Sequence, residues 1–298
     1  MVSGVREGAA PRFTVVTSDY TSPEFRFYEA ELAPVGAALV PAQCRTEDDL
    51  IAAAVDADAI IHEYLPIGRR VIERLRRCRV ISHHGIGVDK IDVAAATEHG
   101  ICVANVADAS LEETSDHLLG LVLACGRRLF ALDRAVRDGR WHYQACGPIR
   151  QLRGRVLGFV GFGRIPRLVC GKAAPFGFRL LAYARRPSAA LAGRYGVEFV
   201  ALDTLLARAD FLSVNLPYTP ETRHFIGPAE LARMKPSAYL INISRGQVVD
   251  ENGLIAALRE GRLGGAALDV LEREPPDAQS PLLELPEVLL TPHCAWYS

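Results

Sequence analysis

Gly161 and Gly163, within the run RVLGFVGFGRIPRLV from Arg155 to Val169, have the spacing that lets a backbone wrap a phosphate. An apolar stretch opens into G-x-G-x-x-P. The first glycine permits a tight turn and the second a close approach to a pyrophosphate, while Arg164 and Ile165 begin a helix whose free N–H groups point at the anion. Pro166 stands where a third small residue is usual. In the first turn of a helix its missing N–H costs nothing and its fixed φ fits, so the phosphate site survives. Helix and strand are then expected to pack less closely, with the ligand slightly displaced. An acidic residue about 20 positions on would hold the ribose hydroxyls. Here RLLAYA ends on Ala184, followed by Arg185 and Arg186. No carboxylate repels a 2′-phosphate and two cations can bind one, so NADPH is expected over NADH.

Such a loop works only between a buried strand and a helix, and the chain supplies that rhythm throughout. FTVVTSD, ADAIIHEY, CRVISHH and GICVANV are short β-branched runs separated by Ala- and Leu-rich segments such as EDDLIAAAVDA. Alternation of this kind predicts a parallel sheet flanked by helices. Ser110 with Glu113 gives a capping-box signature, and a long helix is predicted from about Leu111 to Phe130. An irregular segment, RWHYQACGPIRQLRG, leads to a second series with strands near 156, 179, 211, 238, 264 and 287.

Composition narrows the partners. The 298 residues suffice for two domains, and Lys plus Arg (34) nearly balance Asp plus Glu (35), with no basic run for a nucleic acid. Seven scattered cysteines, with no C-x-x-C pair, read as reduced thiols of a cytoplasmic protein without a metal centre. The opening MVSGVREGAAPRF has no apolar signal region, and no apolar run is long enough for a bilayer, so neither export nor membrane insertion is expected.

The blocks HHGIGVDKIDVAAATEHGICVANV, PIRQLRGRVLGFVGFGRI, NLPYTPETRHFIG, LINISRGQVVDENGLIAAL, GGAALDVLEREPP and LLTPHCAWYS resemble, in order, the D-isomer-specific 2-hydroxyacid dehydrogenases, and most of all their C-terminal-binding-protein-like branch. The resemblance implies two doubly wound α/β domains: a flavodoxin-like substrate domain at 1–106 and 288–298 and a Rossmann NAD(P)-binding domain at 107–287, with the active site in the cleft between them. It implies reversible hydride transfer between NAD(P) and a 2-keto or D-2-hydroxy acid, and a homodimer built around the long helix, where Trp141 and Tyr143 would pack. Its catalytic positions fall on Arg245, Glu274 and His293. A histidine can protonate a carbonyl oxygen near neutral pH, a carboxylate stabilises the imidazolium, and an arginine fork pairs with the substrate carboxylate.

The same resemblance places Asp269 against the nicotinamide amide and makes Asn215 and Pro217 cofactor-wall residues. It puts the substrate carboxylate on the backbone of His84, Gly85, Ile86 and Gly87. His83 and His84 stand where the branch often has arginine and an aromatic, and with Tyr64 they are expected to retune the substrate's side chain; Tyr64 reads equally well as a packing residue. Relatives usually continue past the histidine segment with a helix returning to the first domain, whereas this sequence stops at Ser298. Either a truncation or a less well closed first domain is expected. Two other readings remain open: a corepressor-like sensor with little catalysis, and a degenerate protein that has lost its cofactor.

Overall fold

Short apolar runs become parallel strands in both halves of the chain. The computed structural model describes residues 11–298; residues 1–10, counted above in the first domain, lie outside them. It divides into a first unit ending at Ala109 and a second spanning Ser110–Ser298. In the first unit, β1 (Phe13–Thr17), β2 (Ala37–Val40), β3 (Ala59–His62), β4 (Val80–His83) and β5 (Cys102–Asn105) form a parallel sheet in the order β2-β1-β3-β4-β5. This is the flavodoxin-like order, whose direction reverses between β1 and β3. Leu50, Ile60, Ile67, Ile72 and Ile81 fill its core and are fully buried.

The second sheet contains β6 (Val156–Val160), β7 (Arg179–Tyr183), β8 (Val197–Phe199), β9 (Phe211–Val214), β10 (Tyr239–Asn242), β11 (Gly265–Leu268) and β12 (Val288–Leu290). Its order, β12-β11-β10-β9-β6-β7-β8, is that of a Rossmann sheet extended by one strand. All residues of β6, β9, β10 and β11 are buried, as helices on both faces require, so these strands read as continuous apolar runs without alternation. Residues 288–298 were expected in the first domain. Instead Val288 pairs with Ala266 and Leu290 with Leu268, which makes this apolar run the edge strand of the second sheet.

The expected single helix is two: Leu111–Gly126 and Leu129–Arg137. Thr114, Leu118, Leu121, Val122 and Cys125 recur at helical spacing along the buried face of the first. The break follows Gly126, where a Cβ would lie 2.5 Å from Leu152 and 3.1 Å from Phe211, and Arg128 then turns left-handed (φ 51°). Nor does the capping box form. Ser110 has φ 53°, outside the extended region a capping side chain needs, and serves through its carbonyl, which accepts from Thr114 N–H at 3.0 Å and Oγ1 at 2.6 Å. Among the described residues no helix is long and apolar enough to cross a membrane, and the seven cysteines are free.

Candidate active site

The glycine loop lies where the order of the second sheet reverses, between β6 and β9. Gly161 has φ 90°, and a Cβ there would sit 2.6 Å from the Asn215 carbonyl oxygen; the fold itself demands glycine. A Cβ on Gly163 would meet nothing within 4 Å. The helix Arg164–Ala173 follows, with Pro166 buried in its first turn as expected. The N–H groups of Gly163 and Ile165 find no acceptor among the described residues. Opposite them, Asn215 Nδ2 donates to Ser213 O (3.0 Å) and Oγ (2.9 Å), leaving Oδ1 buried and unpaired. Free donors beside an orphaned acceptor fit a ligand that carries both phosphate and hydroxyl groups, as a dinucleotide does. Pro217, exposed, ends this wall, its carbonyl held by Thr222 Oγ1 at 2.7 Å. At the end of β7, Ala184 is half-buried; Arg185 and Arg186 are exposed, and no ion pair among the described residues engages either.

At the other end of the second sheet, His293 Nδ1 lies 2.6 Å from Glu274 Oε2. Glu274 is fixed in turn by the Leu271 N–H, 2.9 Å from its Oε1. Burial alone would raise the Glu274 carboxyl, but the His293 hydrogen bond, the Leu271 N–H and the charges of His293 and Arg245 outweigh it and hold the carboxyl below its usual range. His293 adopts φ 51°, held by its N–H to Asp269 O (2.8 Å) and by Trp296 Nε1 donating to its carbonyl (2.8 Å). The two side chains keep 35% and 36% of their surface, enough for a small molecule to reach the imidazole. Arg245 is aimed by Asn242, which is buried: Asn242 Nδ2 donates to Arg245 O at 2.9 Å while its Oδ1 accepts from Ser244 N–H and Oγ. Arg245 Nη1 donates to Ser244 O at 2.9 Å. His293 and Glu274 are thus in contact, and Arg245 lies close enough for its charge to act on the Glu274 carboxyl.

The expected substrate residues lie in the first unit, at the carboxyl ends of its strands. Asp19 binds the N–H groups of Tyr64 (2.7 Å) and Leu65 (3.0 Å), and Lys90 lies 5.3 Å from the Tyr64 ring centre. His84 N–H donates to His62 O (2.7 Å), Val106 N–H to Gly85 O (2.9 Å) and Asn105 Nδ2 to Ile86 O (2.6 Å). These bonds pin the carbonyls of the loop from one side. The N–H groups of Gly85, Ile86 and Gly87 have no acceptor among the described residues. A Cβ on Gly85 would lie 2.8 Å from His83 Nε2, so glycine is required by the buried His83 beneath it.

Sequence reasoning missed several supports. Gly246 abuts the Leu271 backbone, where a Cβ would come within 1.9 Å of the Leu271 carbonyl carbon. Thr291 Oγ1 donates to Asp269 Oδ1 at 2.6 Å, and His117, on the helix Leu111–Gly126, approaches Thr291 Oγ1 at 3.1 Å. No local signal marks these residues, because their partners are 22 to 174 positions away in sequence.

Residues 119–295 match the family model of the D-isomer specific 2-hydroxyacid dehydrogenase NAD binding domain. A glyoxylate reductase of Korarchaeum cryptofilum is 42% identical over 245 residues, covering 80% of this chain and 74% of that one. A D-3-phosphoglycerate dehydrogenase of Methanocaldococcus jannaschii is 40% identical over 250 residues, 83% of this chain but 47% of its own length. Among solved structures, an acyclic imino acid reductase in complex with NADPH and D-Arg superposes with a TM-score of 0.86 at 26% identity, covering 96% of this chain and 91% of that one.

Proposed function

Because this chain belongs to the D-isomer specific 2-hydroxyacid dehydrogenase family, whose members transfer hydride between NAD(P) and 2-keto acids, we propose that it is a cytoplasmic, NADPH-preferring 2-ketoacid reductase acting through Arg245, Glu274 and His293. The observation that carries this reading is the 2.6 Å contact between His293 Nδ1 and Glu274 Oε2. It commits one ring nitrogen to the carboxylate and leaves Nε2 to face the substrate.

When bound, the reduced nicotinamide supplies the hydride. His293 Nε2 delivers a proton to the carbonyl oxygen, so that one hydride and one proton turn C=O into CH–OH, and the neutral imidazole regains its proton from solvent. Glu274 holds the imidazole in place and favours its charged form. Arg245 polarises the carbonyl and pairs with the substrate carboxylate. The N–H groups of Gly85, Ile86 and Gly87 are the further donors to that carboxylate, with His84 and Tyr64 bordering the substrate's side chain. Asp269 lies beside the nicotinamide, the loop Gly161–Gly163 with Arg164 and Ile165 takes the pyrophosphate, and Asn215 and Pro217 wall the cofactor. Trp141 and Tyr143, 87% and 78% exposed, mark the face where a second copy packs. A reductase is favoured over a corepressor-like sensor because the proton donor, its carboxylate and the arginine converge.

The pH dependence follows from the carboxylate. Glu274 is held below its usual range in part by His293, so its charged carboxylate stands against the imidazole that donates the proton. Keto-acid reduction is expected to fall as pH rises, and Glu274→Gln, which removes that charge, should move the fall to lower pH. Initial rates between about pH 5 and 9 measure this; an unmoved profile would disprove the pairing.

Cofactor choice is tested separately. One charge-assisted contact to a 2′-phosphate contributes about 1.5 to 3 kcal/mol, so kcat/KM should favour NADPH over NADH by about tenfold or more. Arg185→Ala combined with Arg186→Ala should remove most of that preference. Equal or better use of NADH by the unaltered protein would refute it, and failure to turn over any 2-keto acid with either nucleotide would refute the reductase reading.

A further inference from the structure

The end of the second sheet where β6 and β10 begin gathers charge that the chemistry above does not use. A cavity of about 70 Å³ there is lined by Arg128, Arg150 and Arg155 and by two hydroxyl side chains, Ser237 and Tyr239. Arg155 immediately precedes β6 and Tyr239 opens β10, whereas the glycine loop and Asn242 stand at the far ends of those strands. The volume is several times what one water needs and leaves room for one tetrahedral oxyanion.

None of the lining residues is acidic, and the positive charge is not cancelled nearby. Among the described residues neither Arg128 nor Arg150 enters an ion pair. Arg155 Nη2 lies 3.2 Å from Asp210 Oδ1, but Lys235 Nζ approaches the same oxygen at 3.1 Å, so this carboxylate sits between two cations. The Cys125 thiol, pushed up to about 12 by burial, adds no negative charge. The helix Leu111–Gly126 ends here, and its last carbonyls carry about half a negative charge. Arg128, two residues beyond that end, suffices to offset it. Arg150 and the surplus charge of the Arg155, Asp210 and Lys235 cluster then remain without an anion.

The donors are held in place before any ligand arrives. Phe211 stacks on Tyr239, with ring centres 6.1 Å apart and 20° between the planes, and the Arg155 guanidinium lies 5.1 Å from the centre of the same Phe211 ring. Arg128 Nη1 donates to the Cys146 carbonyl, which leaves its other N–H groups for a ligand. Tyr239 is only 6% exposed, yet its hydroxyl has no hydrogen-bond partner among the described residues. Burial pushes that hydroxyl up, against the charges of Arg128 and Arg155, so it stays protonated and can donate. A buried donor calls for an acceptor, and guanidinium forks select an oxyanion. We propose that this cavity is a binding site for a phosphate-sized oxyanion, separate from the site of the nucleotide's own phosphates and independent of the hydride chemistry.

The test is calorimetric titration of the full chain with inorganic phosphate at constant ionic strength and near-neutral pH, with thermal unfolding in phosphate and in chloride beside it. Contacts from the guanidinium groups and one hydroxyl support a Kd of about 1 mM. Arg150→Gln should weaken binding about tenfold, and Tyr239→Phe, which removes only the hydroxyl, by about as much. Arg150 is exposed and the Tyr239 hydroxyl bonds no described residue, so both variants should keep their melting temperature in chloride and lose the rise that phosphate gives the unaltered protein. Arg185→Ala combined with Arg186→Ala should bind phosphate as the unaltered protein does. Unchanged affinity in Arg150→Gln and Tyr239→Phe, or stabilisation by chloride equal to that by phosphate, overturns the proposal. So does loss of binding in the Arg185 and Arg186 pair alone, which would put the ion at the nucleotide loop instead.

Discussion

Alanine in place of His293 is expected to lower kcat for keto-acid reduction by about two orders of magnitude or more, the usual scale for a positioned acid. Nucleotide affinity should stay nearly unchanged, because the glycine loop and Asn215 belong to a different part of the sheet. Folding should survive too. Removing the imidazole leaves Glu274 about one-third exposed and still bonded to the Leu271 N–H, so no charge is stranded in an apolar interior. Arg245→Ala should behave similarly, with a larger rise in KM because it also loses the carboxylate fork. Steady-state kinetics beside nucleotide titration separates these outcomes. Turnover close to that of the unaltered protein in His293→Ala would show that another group supplies the proton.

The second large effect comes from a residue with no functional atom. In Gly246→Ala the new methyl would sit 1.9 Å from the Leu271 carbonyl carbon, 2.0 Å from its oxygen and 2.3 Å from Glu272 N. These are backbone atoms, so no rotamer change relieves the overlap; the chain must move by more than an ångström. Arg245 immediately precedes Gly246, and the Leu271 N–H anchors Glu274, so the displacement separates the arginine from the carboxylate–histidine pair. A shift of about 1 Å is enough for a loss of about a hundredfold in kcat/KM. Overpacking of this kind also costs about 1 to 3 kcal/mol in stability. Urea unfolding together with kinetics would read both. Near-normal activity and stability would mean that the Leu271–Glu274 segment yields easily and does not hold the site.

What the sequence discloses is whatever local chemistry determines. Val156–Val160 is apolar at every position because helices cover both faces of its sheet, and Gly161 with Gly163 is visible because a tight turn beside an anion admits little else. The family blocks carried Arg245, Glu274 and His293 to positions the fold brings together. Features that depend on distant partners were not legible. The helix stops at Gly126 and Arg128 turns left-handed, while the local pattern runs on to Phe130; the crowding of Leu152 and Phe211 against Gly126 comes from residues distant in sequence. Ser110 has the residue types of a capping box, but its left-handed backbone withdraws the side chain from that role. The strand near 287 reads into the second series while the family resemblance assigns 288–298 to the first domain, and the pairing with β11 decides for the second sheet. His117 is one more polar residue on a helix until Thr291, 174 positions later, arrives beside it.

The two glycines of the phosphate loop answer to different masters. Gly161 is confined by its own protein, through its positive φ and the Asn215 carbonyl, whereas Gly163 has φ −81° and open space where a side chain would begin. Only a ligand forbids a larger residue at 163. In a lineage that ceased to use the nucleotide, purifying selection would relax at Gly163 while persisting at Gly161, so the pair records separately the history of the fold and the history of its use.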